Sequence, residues 1–359
     1  MIPVSQPYLN GNEEKYLKEA IDSNWLGWKG GYVDKVEKAF AEFVGTKYAM
    51  TVTNGTTALH LALLGLGIKS GDEVIAPTMT FASTNFAISY CGATPVFIDC
   101  GDTWNINADT IESKITDKTK AIMVAHIMGV PCDMNKIMEV ANKYNLPVIE
   151  DSAEALGATV GDKKVGSIGK VGTFSFYSNK QITCGEGGMV VTNDEKLYNY
   201  MNHLRNMAML PDYYHNEIGY NYRLNNTSCA ILLAQLEQVE LYNLYRYLAQ
   251  VKYYKCLKDT KQIQIVPEVS YGKSVCWIVS VLTHDVVGLR EYLNRHDIVT
   301  RRFFQPNHEL PMYNVETDEF LNAEYFHTFG LMLPTYVGLK DNEIEYICDL
   351  IKDFYGTSD

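Results

Sequence analysis

Lys180 closes the segment Ser175-Phe176-Tyr177-Ser178-Asn179-Lys180, and Thr183-Cys184-Gly185-Glu186-Gly187-Gly188 follows it. A lysine directly after an apolar run and before a glycine-rich turn sits low in a site rather than in open solvent. Burial lowers a lysine's pKa and makes its amine a usable nucleophile for a Schiff base. An isolated lysine at a strand end reads as surface; here the glycines shift the balance, because a backbone stripped of side chains suits close approach of something flat or bulky. Three further segments carry chemistry of their own. Asn54-Gly55-Thr56-Thr57 follows a strand and opens a helix, so its amides and hydroxyls can cradle a phosphate, although helix capping alone would explain the same residues. Glu150-Asp151 ends the run PVIED, where an ionised carboxylate needs a cation or a hydrogen-bond donor; a protonated pyridine nitrogen or a structural partner meets that need. Phe81, in Pro77-Thr78-Met79-Thr80-Phe81, offers an aromatic face to a planar ring, or packs in the core.

The elements that must position these residues are legible in the chain. Between residues 47 and 193 the apolar runs TVTNG, EVIAP, TPVFID, KAIMVAHIMG, PVIED, TFSFYS and GGMVVT alternate with helical patterns such as TTALHLALLGLGI and DMNKIMEVANKYN, the latter opened by Asp133 as N-cap. This alternation predicts βαβ units, a mostly parallel sheet and a three-layer α/β domain. Open α/β sheets bind ligands outside the carboxyl ends of their strands, where all four segments fall. Residues 194–245 read as long helices split by a Pro- and aromatic-rich loop around Pro211–Tyr222, the second helix bridging two domains. Beyond it, VCWIVSVLTHD, DIVTRRFF and an amphipathic helix near Asp341–Phe354 predict a smaller α/β domain. Taken together, a phosphate cradle, an acid, a lysine and an aromatic lid suit pyridoxal phosphate.

Composition narrows the remaining classes. The 359 residues are 47% hydrophobic and 21% charged, within the range of ordinary folded proteins. The net charge of −12 disfavours nucleic acid and anionic membrane as partners. Cys91, Cys100, Cys132, Cys184, Cys229, Cys256, Cys276 and Cys348 are scattered without metal-ligand spacing, so reduced thiols, no metal and a cytoplasmic location are expected. No apolar run reaches the roughly 18 residues of a membrane span.

The stretches NGTTALHLAL, GDEVIAPTMTFASTNFAI, GATPVFID, EDSAEALGA, FSFYSNKQITCGEGGMVVTND and GYNYRLNNTSCAILLAQLEQ together resemble the DegT/DnrJ/EryC1/StrS sugar aminotransferases. The resemblance is specific over residues 1–240 and weaker beyond. It implies fold type I, like aspartate aminotransferase: a large domain over 1–240 with a mixed sheet, its N-terminal segment near the substrate site, and a smaller C-terminal α/β domain over 241–359. It also implies pyridoxal 5′-phosphate as cofactor, with the pyridoxamine phosphate form as intermediate, and a homodimer with shared active sites.

Carried over residue by residue, the resemblance implies that Lys180 holds the cofactor and shuttles protons, while Asp151 pairs with the pyridine nitrogen. Gly55, Thr56, Thr57 and Ser175 would surround the phosphate, and Phe81 would stack on the ring. Asn221 in GYNYR would reach the phosphate of the neighbouring subunit's cofactor. Glu154 stands where many members carry His or Gln and is expected at the ring edge. Trp25 belongs to the departure Trp25-Leu26-Gly27-Trp28-Lys29-Gly30, in a region that lies near the sugar nucleotide. Arg301 and Arg302 are candidates for the diphosphate, and His308 for the hexose. A basic pair beside FF also fits an ordinary strand end. His126 and His60 read as core histidines.

IPVSQPYLNGNE, Glu154 in EDSAEALG and TRRFFQPNHELPMY look most like the members that aminate C4 of a nucleotide-linked 4-keto-6-deoxyhexose. A ping-pong cycle with glutamate as donor follows, with GDP-4-keto-6-deoxymannose giving GDP-perosamine expected first and UDP-4-keto-6-deoxyglucose giving UDP-viosamine as the alternative. Lys180 argues against the sugar 3-dehydratase branch, which replaces that lysine. A nicotinamide oxidoreductase would want G-x-G-x-x-G in the first βα turn. A non-catalytic scaffold would have no reason to keep both Lys180 and Asp151.

Overall fold

The computed structural model describes residues 1–265, 268–315 and 318–356. Helices α1 (Glu13–Asp22) and α2 (Gly31–Val44) precede a run of alternating elements: β1 (Tyr48–Val52), α3 (Gly55–Gly65), β2 (Glu73–Pro77), α4 (Ser83–Tyr90), β3 (Thr94–Ile98), β4 (Thr119–Ala125), α5 (Met134–Lys143) and β5 (Val148–Asp151). A short ribbon, β6 (Thr159–Val160) and β7 (Lys163–Lys164), leads to β8 (Val171–Ser175), β9 (Gly188–Thr192) and three helices, α6 (Glu195–Arg205), α7 (Asn226–Leu236) and α8 (Val239–Leu257). The remainder runs β10 (Ile263–Ile265), β11 (Gly272–Lys273), β12 (Val279–Thr283), α9 (Val286–Arg295), β13 (Arg301–Arg302), α10 (Leu321–Phe329), β14 (Gly330–Leu333) and α11 (Asp341–Phe354).

The main sheet has seven strands in the order β1-β9-β8-β5-β4-β2-β3. Its centre is parallel, and β9 alone runs against both neighbours, so the sheet is mixed. Strands β2, β4 and β5 are buried on both faces, as helix-covered parallel strands must be, which explains why they read as unbroken apolar runs. Helix α3 buries Ala58 through Leu63 in succession. It is sandwiched rather than amphipathic, and each Leu so placed contributes about 1.5–3 kcal/mol.

A second sheet, β10-β12-β14-β13, is antiparallel throughout and carries α8, α9 and α11 against it. Two features of this half differ from the expectation. The long helical stretch is broken at Glu237–Gln238 into α7 and α8. DIVTRRFF yields only the two-residue β13, because Phe303 and Phe304 leave the sheet to pack on Trp104 and near Trp277. The chain's start also joins this sheet's surroundings: Ile2 bridges Ile298 and accepts from the Val299 amide. An apolar layer of Met79, Trp104, Met128, Trp277, Phe303 and Phe326 fills the space between the two halves. Among the described residues no helix is long and apolar enough to cross a membrane.

Candidate active site

Strands β1, β2, β4, β5 and β8 end on one edge of the main sheet, and a cavity of about 470 Å³ opens there. Its floor and walls include Asn54, Gly55, Thr56, Phe81, His126, Asp151, Glu154, Ser175 and Lys180, contributed by the ends of five strands or the loops just beyond them. The far wall comes from the second half of the chain, as Trp277, Arg301 and Phe304.

The turn after β1 is shaped by a capping box. The Asn54 side chain accepts from the Thr57 amide at 2.9 Å, and the Thr57 hydroxyl accepts from the Asn54 amide at 3.1 Å. Thr57 is thereby committed to the cap and lies outside the cavity wall, unlike Gly55 and Thr56. A Cβ on Gly55 would stand 2.9 Å from Ser175 Cβ and 3.3 Å from its Oγ, so the cleft between these residues exists only because position 55 has no side chain. The first amides of the 11-residue helix α3, an open backbone and the Ser175 hydroxyl make a donor set that fits a phosphate.

Glu150 and Asp151 are consecutive on β5 and therefore face opposite ways. Glu150 accepts from the amides of Gly166 (2.8 Å), Ile168 (2.8 Å) and Gly169 (2.6 Å) and from His126 Nε2 (3.1 Å), so its role is to hold the turn before β8. Asp151 faces the cavity, accepting from Thr84 Oγ1 at 2.9 Å and from the Ala153 amide at 3.2 Å. Burial pushes its carboxyl above the usual range, against the opposing pull of those two donors, Lys180 and His126. A buried carboxylate held up by its surroundings and directed into a cavity fits a cationic ring nitrogen.

Lys180 Nζ lies 3.6 Å from Glu154 Oε1 and 4.3 Å from the centre of the Trp277 ring. Glu154 is fixed through its other oxygen, which accepts from the Met128 amide at 2.9 Å, and burial raises its carboxyl despite the attraction of Lys180. Phe81 is 57% exposed, an aromatic face lying open on the cavity with Phe304 edge-on to it at 5.8 Å. His126 is buried as expected, and its nitrogens are spoken for: Nδ1 accepts from the Cys132 amide at 3.0 Å and Nε2 faces Glu150. Even so, its ring forms part of the cavity wall.

Several expected residues lie elsewhere. His308 is buried beneath the segment after β13, with Nδ1 2.8 Å from Thr78 Oγ1 and Nε2 3.5 Å from Glu324, so it docks that segment rather than lining the cavity. Arg302 turns towards the His327 carbonyl at 3.4 Å, leaving Arg301 as the one of the pair on the cavity. Trp25 is 62% exposed on the outside, its carbonyl accepting from Asn226 Nδ2 at 2.7 Å. Asn221 is exposed, held by Arg223, and outside this chain's own cavity. Trp277 also lines the cavity, as do Tyr177 and Glu186 from the segments around Lys180. Trp277 lay within a run read simply as a strand, and nothing in its spacing marks it.

The model of the DegT/DnrJ/EryC1/StrS aminotransferase family matches residues 7–352. The chain is 46% identical to GDP-perosamine synthase of Escherichia coli O157:H7, covering 99% of this chain and 98% of that one, and 41% identical to GDP-perosamine synthase of Vibrio cholerae, covering 99% of both. Among solved structures, the aminotransferase TlmJ from Streptoalloteichus hindustanus superposes with a TM-score of 0.95 at 28% identity over 99% of both chains. The Helicobacter pylori aminotransferase PseC, involved in pseudoaminic acid biosynthesis, gives 0.93 at 27% identity, again over 99% of both. With its mixed seven-stranded sheet and a family match along nearly its whole length, this chain belongs to the DegT/DnrJ/EryC1/StrS aminotransferase family.

Proposed function

We infer that this aminotransferase moves an amino group from glutamate to C4 of a nucleotide-linked 4-keto-6-deoxyhexose, with GDP-4-keto-6-deoxymannose as acceptor and GDP-perosamine as product. The observation that carries the chemistry is the placement of Lys180 Nζ beside Glu154 in a cavity that also contains Asp151 and the Gly55–Ser175 cleft. The choice of acceptor rests on the relatives, since three proteins named GDP-perosamine synthase are 41–46% identical over 96% or more of this chain.

Pyridoxal phosphate, when bound, supplies a conjugated ring that withdraws electrons from the carbon bearing the amino group. The chain's residues supply the rest. Gly55, Thr56 and Ser175 would hold the phosphate, and Phe81 would cover the ring face. Asp151 would keep a proton on the ring nitrogen, a task suited to a carboxylate whose own desolvation is relieved by a cation. The Lys180 amine would hold the cofactor and carry a proton at its Nζ between successive carbons, with Glu154 steadying the ammonium form. Apolar walls from Ile127, Phe304 and Trp277 would limit the water around that proton's path. Arg301 would meet the substrate's diphosphate with planar paired donors. Asn221, exposed and outside its own cavity, suits a homodimer in which it serves the partner's site.

The test is an amination assay read by mass spectrometry, offering glutamate with GDP-4-keto-6-deoxymannose and with UDP-4-keto-6-deoxyglucose in parallel. Product from the GDP sugar alone supports the reading; product from the UDP sugar alone replaces the acceptor with the precursor of UDP-viosamine.

A further inference from the structure

Lys180 has four rotatable bonds, yet its amine must meet one atom of a cofactor. Its loop is held by few contacts of its own, among them the Lys180 amide on the Tyr177 carbonyl at 2.9 Å and Gln181 Nε2 on the Glu154 carbonyl at 2.7 Å. A further restraint comes from the other half of the chain. The Trp277 indole N–H donates to the Asn179 carbonyl at 2.9 Å, and its ring lies against the Lys180 ammonium. Arg246, on α8, donates through Nη2 to the Lys180 carbonyl at 3.2 Å and through Nη1 to the carbonyls of Trp277 (2.6 Å) and Thr335 (3.2 Å).

Arg246 is 2% exposed, and no carboxylate pairs with it among the described residues. Burial pulls its guanidinium down to about 10. A buried cation without a counter-charge is costly, and here only the carbonyls it binds offset that cost. What a guanidinium offers that methionine lacks is a planar set of donors able to fix three carbonyls at once. One of those carbonyls belongs to Lys180 and another to the residue packed on its amine.

On this geometry we propose that Arg246 and Trp277 form a clamp through which α8 and the second sheet set the aim of the Lys180 amine. Both are positioning residues: Arg246 acts through the main chain at Lys180 and Trp277, and Trp277 through Asn179 and the lysine side chain. The clamp rests on the reading of Lys180 as the cofactor-holding amine.

The experiment uses purified full-length chains carrying Trp277→Leu, Trp277→Phe, Arg246→Met, Arg246→Lys or Lys180→Ala. Two quantities are read after circular dichroism has shown which chains are folded. One is the rate at which the absorbance of the lysine-linked cofactor grows when pyridoxal phosphate is added to cofactor-free protein; the other is kcat and KM with both substrates. A misdirected amine predicts capture slowed about tenfold and kcat lowered about 10- to 100-fold in Trp277→Leu and Arg246→Met, with KM within about threefold. Trp277→Phe keeps the ring though not the N–H, and Arg246→Lys keeps one donor, so both recover part of the loss. If the folded Leu and Met variants capture cofactor and turn over like the parent, or lose only thermal stability, the clamp is packing and the proposal fails. If Arg246→Met does not fold, the comparison of Trp277→Leu with Trp277→Phe decides. Full turnover in Lys180→Ala would instead overturn the reading of Lys180 itself.

Discussion

The Lys180 ammonium and the Glu154 carboxylate stand 3.6 Å apart with both side chains almost wholly shielded from water. Glu154 is anchored by the Met128 amide, so the pair is a fixed acceptor facing the lysine amine. Replacing the acceptor with a neutral amide should leave the cavity's shape and remove the attraction. Glu154→Gln is expected to lower kcat by about 10- to 100-fold, within the range by which positioned proton-transfer groups contribute, with cofactor still bound. Steady-state kinetics with cofactor content measured by absorbance checks this.

Asp151 offers a test in which stability and activity move in opposite directions. Its carboxyl is raised by burial, so in the cofactor-free protein it contributes stability that is full below the ordinary carboxylate range and lost as pH climbs through the raised value. Asp151→Asn removes that pH-dependent loss, and the Thr84 hydroxyl can rotate to suit the amide. The variant without cofactor should therefore melt higher than the parent at pH 8, with the advantage vanishing towards pH 4. Turnover should fall by on the order of 100-fold or more, because a neutral amide does not hold the ring nitrogen's proton. Thermal melts at both pH values and a turnover assay check the two halves separately.

Gly55→Ala should damage the cradle more than the fold. The added methyl meets Ser175 at 2.9 Å, an overpacking that costs about 1–3 kcal/mol where neighbours cannot yield. Affinity for pyridoxal phosphate, titrated by absorbance, is expected to drop at least tenfold while the far-ultraviolet circular dichroism stays that of the parent.

Glu150→Gln reverses the pattern of its neighbour. The residue accepts from three amides and His126 but does not line the cavity, so losing its charge should cost about 1–3 kcal/mol of stability and leave KM unchanged. Denaturant unfolding beside steady-state kinetics checks it.

Mixing Lys180→Ala and Asn221→Ala chains tests whether Asn221 acts across a subunit boundary. If it does, half of randomly formed dimers carry one intact site, restoring about a quarter of parental activity from two impaired parents. No recovery on mixing would confine Asn221 to its own subunit.

The parts of this molecule that were legible in the sequence are those that local chemistry specifies. The seven runs of the main sheet became strands because apolar β-rich segments between helical patterns have few other ways to be buried, and Asp133 capped α5 as its type suggests. Asp151 and Glu150 show where legibility ended: period-two alternation puts them on opposite faces, but which face holds the cavity is decided by strand order. Thr57 could not be told from a phosphate ligand because capping and anion binding use the same atoms. Trp277, Arg246 and His308 depend on how the last hundred residues fold back onto the first sheet. Nothing local to Trp277 reports that its ring will meet Lys180, nearly a hundred positions earlier.

The most direct test of the whole account is to reduce the pyridoxal-phosphate-loaded protein with borohydride and map the modified peptide by mass spectrometry. The cofactor mass should appear on the peptide containing Lys180 and nowhere else, and should vanish in Lys180→Ala. Its appearance on another lysine, or no covalent attachment in protein that still transfers amino groups, would contradict the account.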